Sequence, residues 1–182
     1  MAKEIEVKFK VANFGMVRRK LKSAGAKRLG QAFEKTTKFD APNEALRQRK
    51  LWLRTRSGFK NVITLKEKTG AADKKFKERR ETEIEISDVG GMEEILKRLG
   101  FSKTLVMEKV REKWFLGKTE VVLDKLPFGN FLEIEGLPKA IEKTEKTLGL
   151  NPAQRIVLTY WHLWEDIRKK KGIENENIVF KS

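Results

Sequence analysis

The sequence predicts an α+β fold in which about eight antiparallel strands close into a barrel with helices around it. Three observations lead there. Alternation of apolar and charged residues with a period of two recurs along most of the chain. The strand-like segments are mostly joined by short turn signals, which favours antiparallel neighbours and closure. Two stretches share a strand–helix–strand pattern. Glu4-Ile5-Glu6-Val7 precedes a helix ending Lys20-Leu21-Lys22-Ser23-Ala24-Gly25, and Glu83-Ile84-Glu85-Ile86 precedes one ending Leu96-Lys97-Arg98-Leu99-Gly100. That repeat argues for one sheet-rich domain over 1–182, with a C-terminal helix and tail at about 151–182.

The period-2 segments are Glu4–Val11, Leu51–Ser57, Asn61–Lys68, Arg79–Ser87, Leu105–Phe115, Thr119–Leu123 and Asn130–Glu135, with further extended chain near Gln31–Asp40. Turn signals fall at Ser57-Gly58, Thr69-Gly70, Gly117-Lys118 and Pro127-Phe128-Gly129-Asn130. Asn13 suits the N-cap of a helix to about Ala24, closed by Gly25. Asp88 or Gly90 opens a second helix that stops at Gly100. A third spans Lys139 to Leu148. The last is expected to begin at Asn151-Pro152, where proline suits a first helical turn, and to run through Trp164. Ile156, Tyr160, Leu163 and Ile167 share one face of that helix, so its aromatics and His162 read as core and structural residues.

Composition narrows the class. The chain has 182 residues, 39% hydrophobic and 37% charged, enough for one domain with a core. No apolar run reaches the roughly 18 residues that would span a bilayer, and the opening Met1-Ala2-Lys3-Glu4 lacks an apolar leader. Absence of cysteine excludes disulfides and thiolate metal sites and makes the cytoplasm the expected location. The net charge of +15 fits a nucleic-acid surface, a cationic pocket for a small polyanion, or a solvated lysine-rich exterior.

Where the charges fall favours the pocket. Residues two apart in a strand share a face. Glu4, Glu6 and Lys8 therefore lie opposite Ile5, Val7 and Phe9, and Arg54 and Arg56 lie opposite Leu53. Thr64, Lys66 and Lys68 share a face, as do Arg79, Glu81, Glu83 and Glu85. The same holds for Lys109, Arg111 and Lys113, and for Glu133 and Glu135. Like charges two apart repel, so something of opposite charge is expected between them. Carboxylate pairs suit hard divalent cations such as Mg²⁺ or Mn²⁺, and lysine and arginine pairs suit phosphate oxygens. One site holding both matches a metal–triphosphate complex, in a wet bore and not a dry core.

These residues resemble the CYTH family, also called triphosphate tunnel metalloenzymes. Glu4-Ile5-Glu6-Val7-Lys8 resembles its ExExK signature, and later segments follow in the family's order. They are Leu53-Arg54-Thr55-Arg56, Thr64-Leu65-Lys66, Arg79-Arg80-Glu81-Thr82-Glu83, Lys109-Val110-Arg111, and Leu123-Asp124 followed by Gly129-Asn130-Phe131-Leu132-Glu133-Ile134-Glu135. The resemblance implies an eight-stranded antiparallel tunnel. It implies metal held by Glu4, Glu6, Glu133 and Glu135, with Asp124, Glu81 and Glu83 as further acids. Phosphates would be lined by Lys8, Arg54, Arg56, Lys66, Arg79, Lys109 and Arg111, with Lys68 added by strand parity, and Lys8, Lys109 and Arg111 would be catalytic. One departure stands out: a tyrosine-bearing segment common in the family reads Thr36-Thr37-Lys38-Phe39-Asp40 here, which weakens a Lys–Tyr mechanism.

The family includes class IV adenylate cyclases and several triphosphatases. The helix Thr159-Tyr160-Trp161-His162-Leu163-Trp164 and the Ile178-Val179-Phe180 end resemble the cyclase branch, so ATP conversion to cyclic AMP is the leading expectation and triphosphate hydrolysis the alternative. A nonenzymatic binder of polyphosphate or nucleic acid would not need the carboxylate pairs, and Arg168-Lys169-Lys170-Lys171 fits a helix C-terminal dipole. A small-molecule triphosphate is therefore the expected partner, with no membrane, and exposed helices leave room for a homodimer. There is no GxSxG, and Gly90-Gly91 lacks the GK[ST] of a P-loop.

Overall fold

The computed structural model describes residues 2–68 and 75–181. The chain runs β1 (Ala2–Val11), α1 (Phe14–Ser23), β2 (Lys27–Asp40), a 3₁₀ turn (Pro42–Glu44), α2 (Ala45–Gln48), β3 (Leu51–Ser57), β4 (Val62–Lys68) and β5 (Lys77–Glu85). It continues through α3 (Val89–Arg98), β6 (Ser102–Leu116), β7 (Thr119–Leu126), β8 (Gly129–Glu135), α4 (Pro138–Leu148), a 3₁₀ turn (Pro152–Gln154) and α5 (Tyr160–Lys171). All eight strands pair antiparallel and close in the order β1-β5-β4-β3-β2-β6-β7-β8, as the alternation predicts. The repeat is visible as β1–α1–β2 and β5–α3–β6. The expected turn at Thr69-Gly70 lies outside the described residues.

The barrel is inverted relative to a dry one. The apolar residues of β1, β7 and β8 face outward: Val7, Phe9, Val121, Leu123, Leu132 and Ile134 pack with Val17 and Leu21 of α1 and Ile141 and Leu148 of α4. Each such burial is worth about 1.5–3 kcal/mol. The helices thus supply the core that the charged bore cannot. Asn13 caps α1 by accepting from the Gly15 amide at 3.0 Å. Arg18 of α1 is tied to the barrel by Glu112, which also accepts from Arg28 and the Trp114 indole.

The C-terminal segment departs from the expected helix. Asn151 caps only the 3₁₀ turn, accepting from the Ala153 amide at 3.0 Å. The chain then extends, and Ile156 pairs antiparallel with Lys8 through amide-to-carbonyl bonds of 2.8 and 3.1 Å. The β1–β5 register ends at Glu6, which leaves the backbone of Lys8 in need of a partner on that side. Helix α5 starts only at Tyr160, with Thr159 as its cap. Tyr160 then joins Leu126, Phe131 and Ile178 in a second, smaller core. Ile178 also bridges to Met107. Strand β2 begins at Lys27, earlier than the expected Gln31, with a register shift between Arg28 and Gly30 where Gly30 takes φ +140°.

Candidate active site

The bore holds a cavity of about 400 Å³. Strand parity decides who reaches it. From β1 come Glu4, Glu6 and Lys8; from β3 Trp52, Arg54 and Arg56; from β4 Lys66 and Lys68; from β5 Lys77 and Arg79. Strand β6 supplies Lys109 and Arg111, β8 supplies Glu133 and Glu135, and β2 supplies Thr36 and Lys38. Arg47 of α2, Lys50, and Thr159–His162 complete the wall with a few apolar side chains. Twelve basic side chains face four acidic ones, an excess of eight positive charges.

Every basic residue expected on the phosphate path therefore lines the cavity, as do four of the seven expected acids. Glu81, Glu83 and Asp124 do not line it. Glu81 is ion-paired to Lys66, and Glu83 accepts from the Thr64 hydroxyl at 3.0 Å. Asp124 is fully buried and accepts from Arg111 at 2.7 Å, Lys109 at 3.1 Å and the Tyr160 hydroxyl at 3.0 Å. Lys113, on the Lys109 face by parity, pairs with Glu120 at 3.1 Å instead.

The four wall acids sit on two adjacent strands. Glu6 faces Glu135 and Lys8 faces Glu133 across the β1–β8 ladder. Glu6 accepts from both Lys8 and Lys77. Burial works against its charge, but Lys77, Lys8 and Lys66 hold its carboxyl well below the usual range. Lys8 is held protonated against the effect of burial by Glu133 and Glu6. Glu135 behaves differently: burial and then the charges of Glu4 and Glu6 push it up to about 7. Burial and the neighbouring Arg54 push Lys66 down to about 7, although it donates to Glu4 at 2.9 Å.

The structure tests the acid wall as a cation site. Among the described residues, no three acidic or histidine side chains already converge as a ready cage. The donors are nevertheless all oxygen. Glu135 beside Glu4 and Glu6 is an acidic group short of countercharge, as the like-charge pairing in the sequence suggests. That chemistry fits a hard divalent cation.

Several cavity residues were not legible beforehand. Tyr160, Trp161 and His162, expected to be core or structural, line the cavity. Glu34, which does not line the cavity, is 2% exposed and stands 3.5 Å from Lys109 and 3.7 Å from Arg111, where it pairs with two cations that do. Lys77 lies just outside the expected β5 segment, and its same-face spacing with Arg79 was the available signal.

The comparisons agree with this architecture. A family model described as the CYTH domain matches residues 2–150. A protein of Methanocaldococcus jannaschii named "Putative adenylate cyclase MJ0240" is 28% identical over 180 residues, covering 98% of this chain and 95% of that protein. The PH1012 protein of Pyrococcus horikoshii OT3 is 33% identical with a TM-score of 0.71, covering 86% of this chain and 96% of that one. A Hippeastrum protein described as a "Putative adenylyl cyclase" that reveals a dominant triphosphatase activity shares the fold at 18% identity and a TM-score of 0.65, covering 90% of this chain and 95% of its own. With the barrel, the ordered strand motifs and a family match over most of its length, the chain belongs to the CYTH domain family.

Proposed function

We propose that this chain binds a triphosphate in the barrel cavity and, with Mg²⁺ or Mn²⁺, acts as an adenylate cyclase that converts ATP to cyclic AMP and pyrophosphate. The observation that carries the triphosphate reading is the excess of eight positive charges in a cavity of about 400 Å³ with acids gathered on one wall. So much like charge at close quarters favours a compact polyanion. The name carried by the Methanocaldococcus jannaschii relative supports the cyclase choice.

In this reading Arg54, Arg56, Lys66, Arg79 and Lys68 hold the phosphate chain. Arginine can bind phosphate oxygens bidentately and lysine acts as a point charge. Lys8, Lys109 and Arg111 neutralise charge that develops on the reacting phosphate and the departing pyrophosphate. Glu133 and Asp124 keep those three cations aligned through the ion pairs they already make. Glu4, Glu6 and Glu135, with Glu133 beside them, would hold the metal, which supplies charge neutralisation and orientation of the reacting oxygens when bound. In cyclisation the ribose 3′-hydroxyl gives its proton to solvent water and bonds to the α-phosphorus as the bond from that phosphorus to the departing pyrophosphate breaks. Residues 151–182 belong to the same functional unit, since Thr159–His162 line the cavity.

Hydrolysis of a triphosphate is the second reading, favoured by the triphosphatase activity ascribed to the Hippeastrum protein. Product analysis separates the two. With ATP and Mn²⁺ or Mg²⁺, cyclic AMP and pyrophosphate support the cyclase. ADP and orthophosphate, or orthophosphate from tripolyphosphate alone, reject it in favour of the hydrolase.

A further inference from the structure

The cavity ends at one level on four neighbouring strands. The last lining residue is Lys66 on β4, Arg56 on β3, Thr36 on β2 and Arg111 on β6. Two residues further along, on the same face of each strand, β4 carries Thr64, β2 carries Glu34 and β6 carries Lys113. None of these three lines the cavity. Thr36 stands opposite Arg56, and Glu34 stands opposite Lys109. Glu34 therefore lies at the floor, at the end away from Lys38, the other lining residue of β2.

A run of cations attracts a polyanion without fixing where it stops. Glu34 breaks that run. It is 2% exposed, and its Oε2 accepts no hydrogen bond among the described residues. That oxygen is held by charge, 3.5 Å from Lys109 and 3.7 Å from Arg111. Arg56 lies 3.4 Å from a second carboxylate, Glu83. A phosphate that passed Arg56 would meet two negative groups. Beyond them Lys113 is already paired with Glu120 at 3.1 Å. Glu34 is also hemmed in from behind. A Cβ at Gly58, where φ is +148°, would lie 2.6 Å from Glu34 Cγ, so the turn between β3 and β4 rests directly on the side chain.

We propose that Glu34 is a charged stop that fixes how far a phosphate chain runs into the bore, and so selects its length. This rests on the triphosphate reading above and goes beyond it, because a role confined to neutralising Lys109 and Arg111 would affect every polyphosphate alike.

The test measures dissociation constants by calorimetry for ADP, ATP and adenosine 5′-tetraphosphate, without metal. The nucleoside is the wider end, so the free phosphate end leads towards the floor. Wild type should gain at least about threefold in affinity from ADP to ATP, and less than that from ATP to the tetraphosphate. A larger second gain overturns the stop with no variant needed. If the first gain is missing, or none of the three binds, the triphosphate reading fails and the stop with it. Glu34→Gln keeps the shape and removes the charge. Two unit charges a few ångströms apart shift an equilibrium by more than about tenfold at the effective dielectric of a protein. Glu34→Gln should therefore raise the tetraphosphate-to-ATP affinity ratio by about fivefold or more, and a smaller rise overturns the proposal. Glu34→Asp keeps the charge and should leave the ratio within about threefold of wild type. A larger rise would assign the effect to side-chain length and overturn the charged stop. Should Glu34→Gln not fold, the wild-type series decides by its own threshold.

Discussion

The hydroxyl of Tyr160 donates a 3.0 Å hydrogen bond to Oδ2 of Asp124, joining the first turn of α5 to the middle of β7. Burial, Asp124 and Glu133 push the phenol well above its ordinary value, so Tyr160 stays protonated and acts as a donor. Asp124 keeps Lys109 and Arg111 when the hydroxyl is removed. Tyr160→Phe should therefore cost about 1.5–3 kcal/mol, the range for a hydrogen bond to a charged group. Urea denaturation with an unchanged slope measures it, and an effect below a few tenths would mean that the bond is dispensable.

The strands and the identities of the inward charges were legible because alternation with a period of two leaves little freedom: if Ile5, Val7 and Phe9 pack outward, Glu4, Glu6 and Lys8 must point in. The C-terminal segment was not legible for a tertiary reason. Ile156 extends because the β1 backbone at Lys8 lacks a β5 partner, and no local preference encodes that vacancy. Asn151 and Thr159 are both good caps, and the sequence does not say which one opens the long helix. Parity also cannot distinguish an acid that faces the cavity from one consumed by a neighbour, which is why Glu81 and Glu83 stood as further acids beside Glu135; Asp124 entered through the family resemblance and not through parity.

The pair Arg155–Glu145 anchors that segment. Glu145 is 1% exposed and accepts from Arg155 Nε at 2.7 Å. Breaking a buried pair from one side leaves an uncompensated charge at a cost of about 3–5 kcal/mol. Arg155→Met should show a loss of that size in chemical denaturation. Adding Glu145→Leu should recover much of it. A double variant no more stable than Arg155→Met alone would mean that the arginine acts through its contact with the Phe76 ring, 4.7 Å away, and not through the carboxylate.

Acid stability should report Glu34. Burial opposes its charge, but Lys109, Arg111 and Arg56 pull its carboxyl down to about 2. A depressed carboxyl contributes stability that is present above the unfolded value near 4.5 and is lost as pH falls from there towards 2. At one pKa unit per 1.36 kcal/mol the contribution at neutral pH is about 3 kcal/mol. Glu34→Gln should be less stable than wild type at pH 7, with the gap narrowing below pH 4.5. A gap independent of pH would place its cause in packing.

Tripolyphosphate should bind without added metal, because the cationic wall is already assembled. A ligand at 100 times its dissociation constant stabilises the fold by about 2.7 kcal/mol. For a chain of this size that corresponds to a rise in Tm of roughly 5–10 °C. The rise should shrink as sodium chloride is added, since salt screens the approach of a polyanion. Equal shifts with orthophosphate at the same concentration would argue against a site shaped for a chain of phosphates.

The acid wall separates catalysis from folding. Glu4→Ala combined with Glu6→Ala removes two of the three charges that crowd Glu135, so its carboxyl should fall from about 7 towards the ordinary range. Relief of that repulsion offsets part of what is lost with the Glu4–Lys66, Glu6–Lys77 and Glu6–Lys8 ion pairs, Lys8 keeps Glu133, and the outward apolar core is untouched. The double variant should therefore stay folded by circular dichroism while metal-dependent turnover falls by at least about a hundredfold, the scale for removing a preorganised electrostatic element. The concentration of Mn²⁺ needed for half-maximal residual activity should rise as well. Turnover that persists with unchanged metal dependence would move the cation site off β1 and leave Glu4 and Glu6 as partners of the lysines alone.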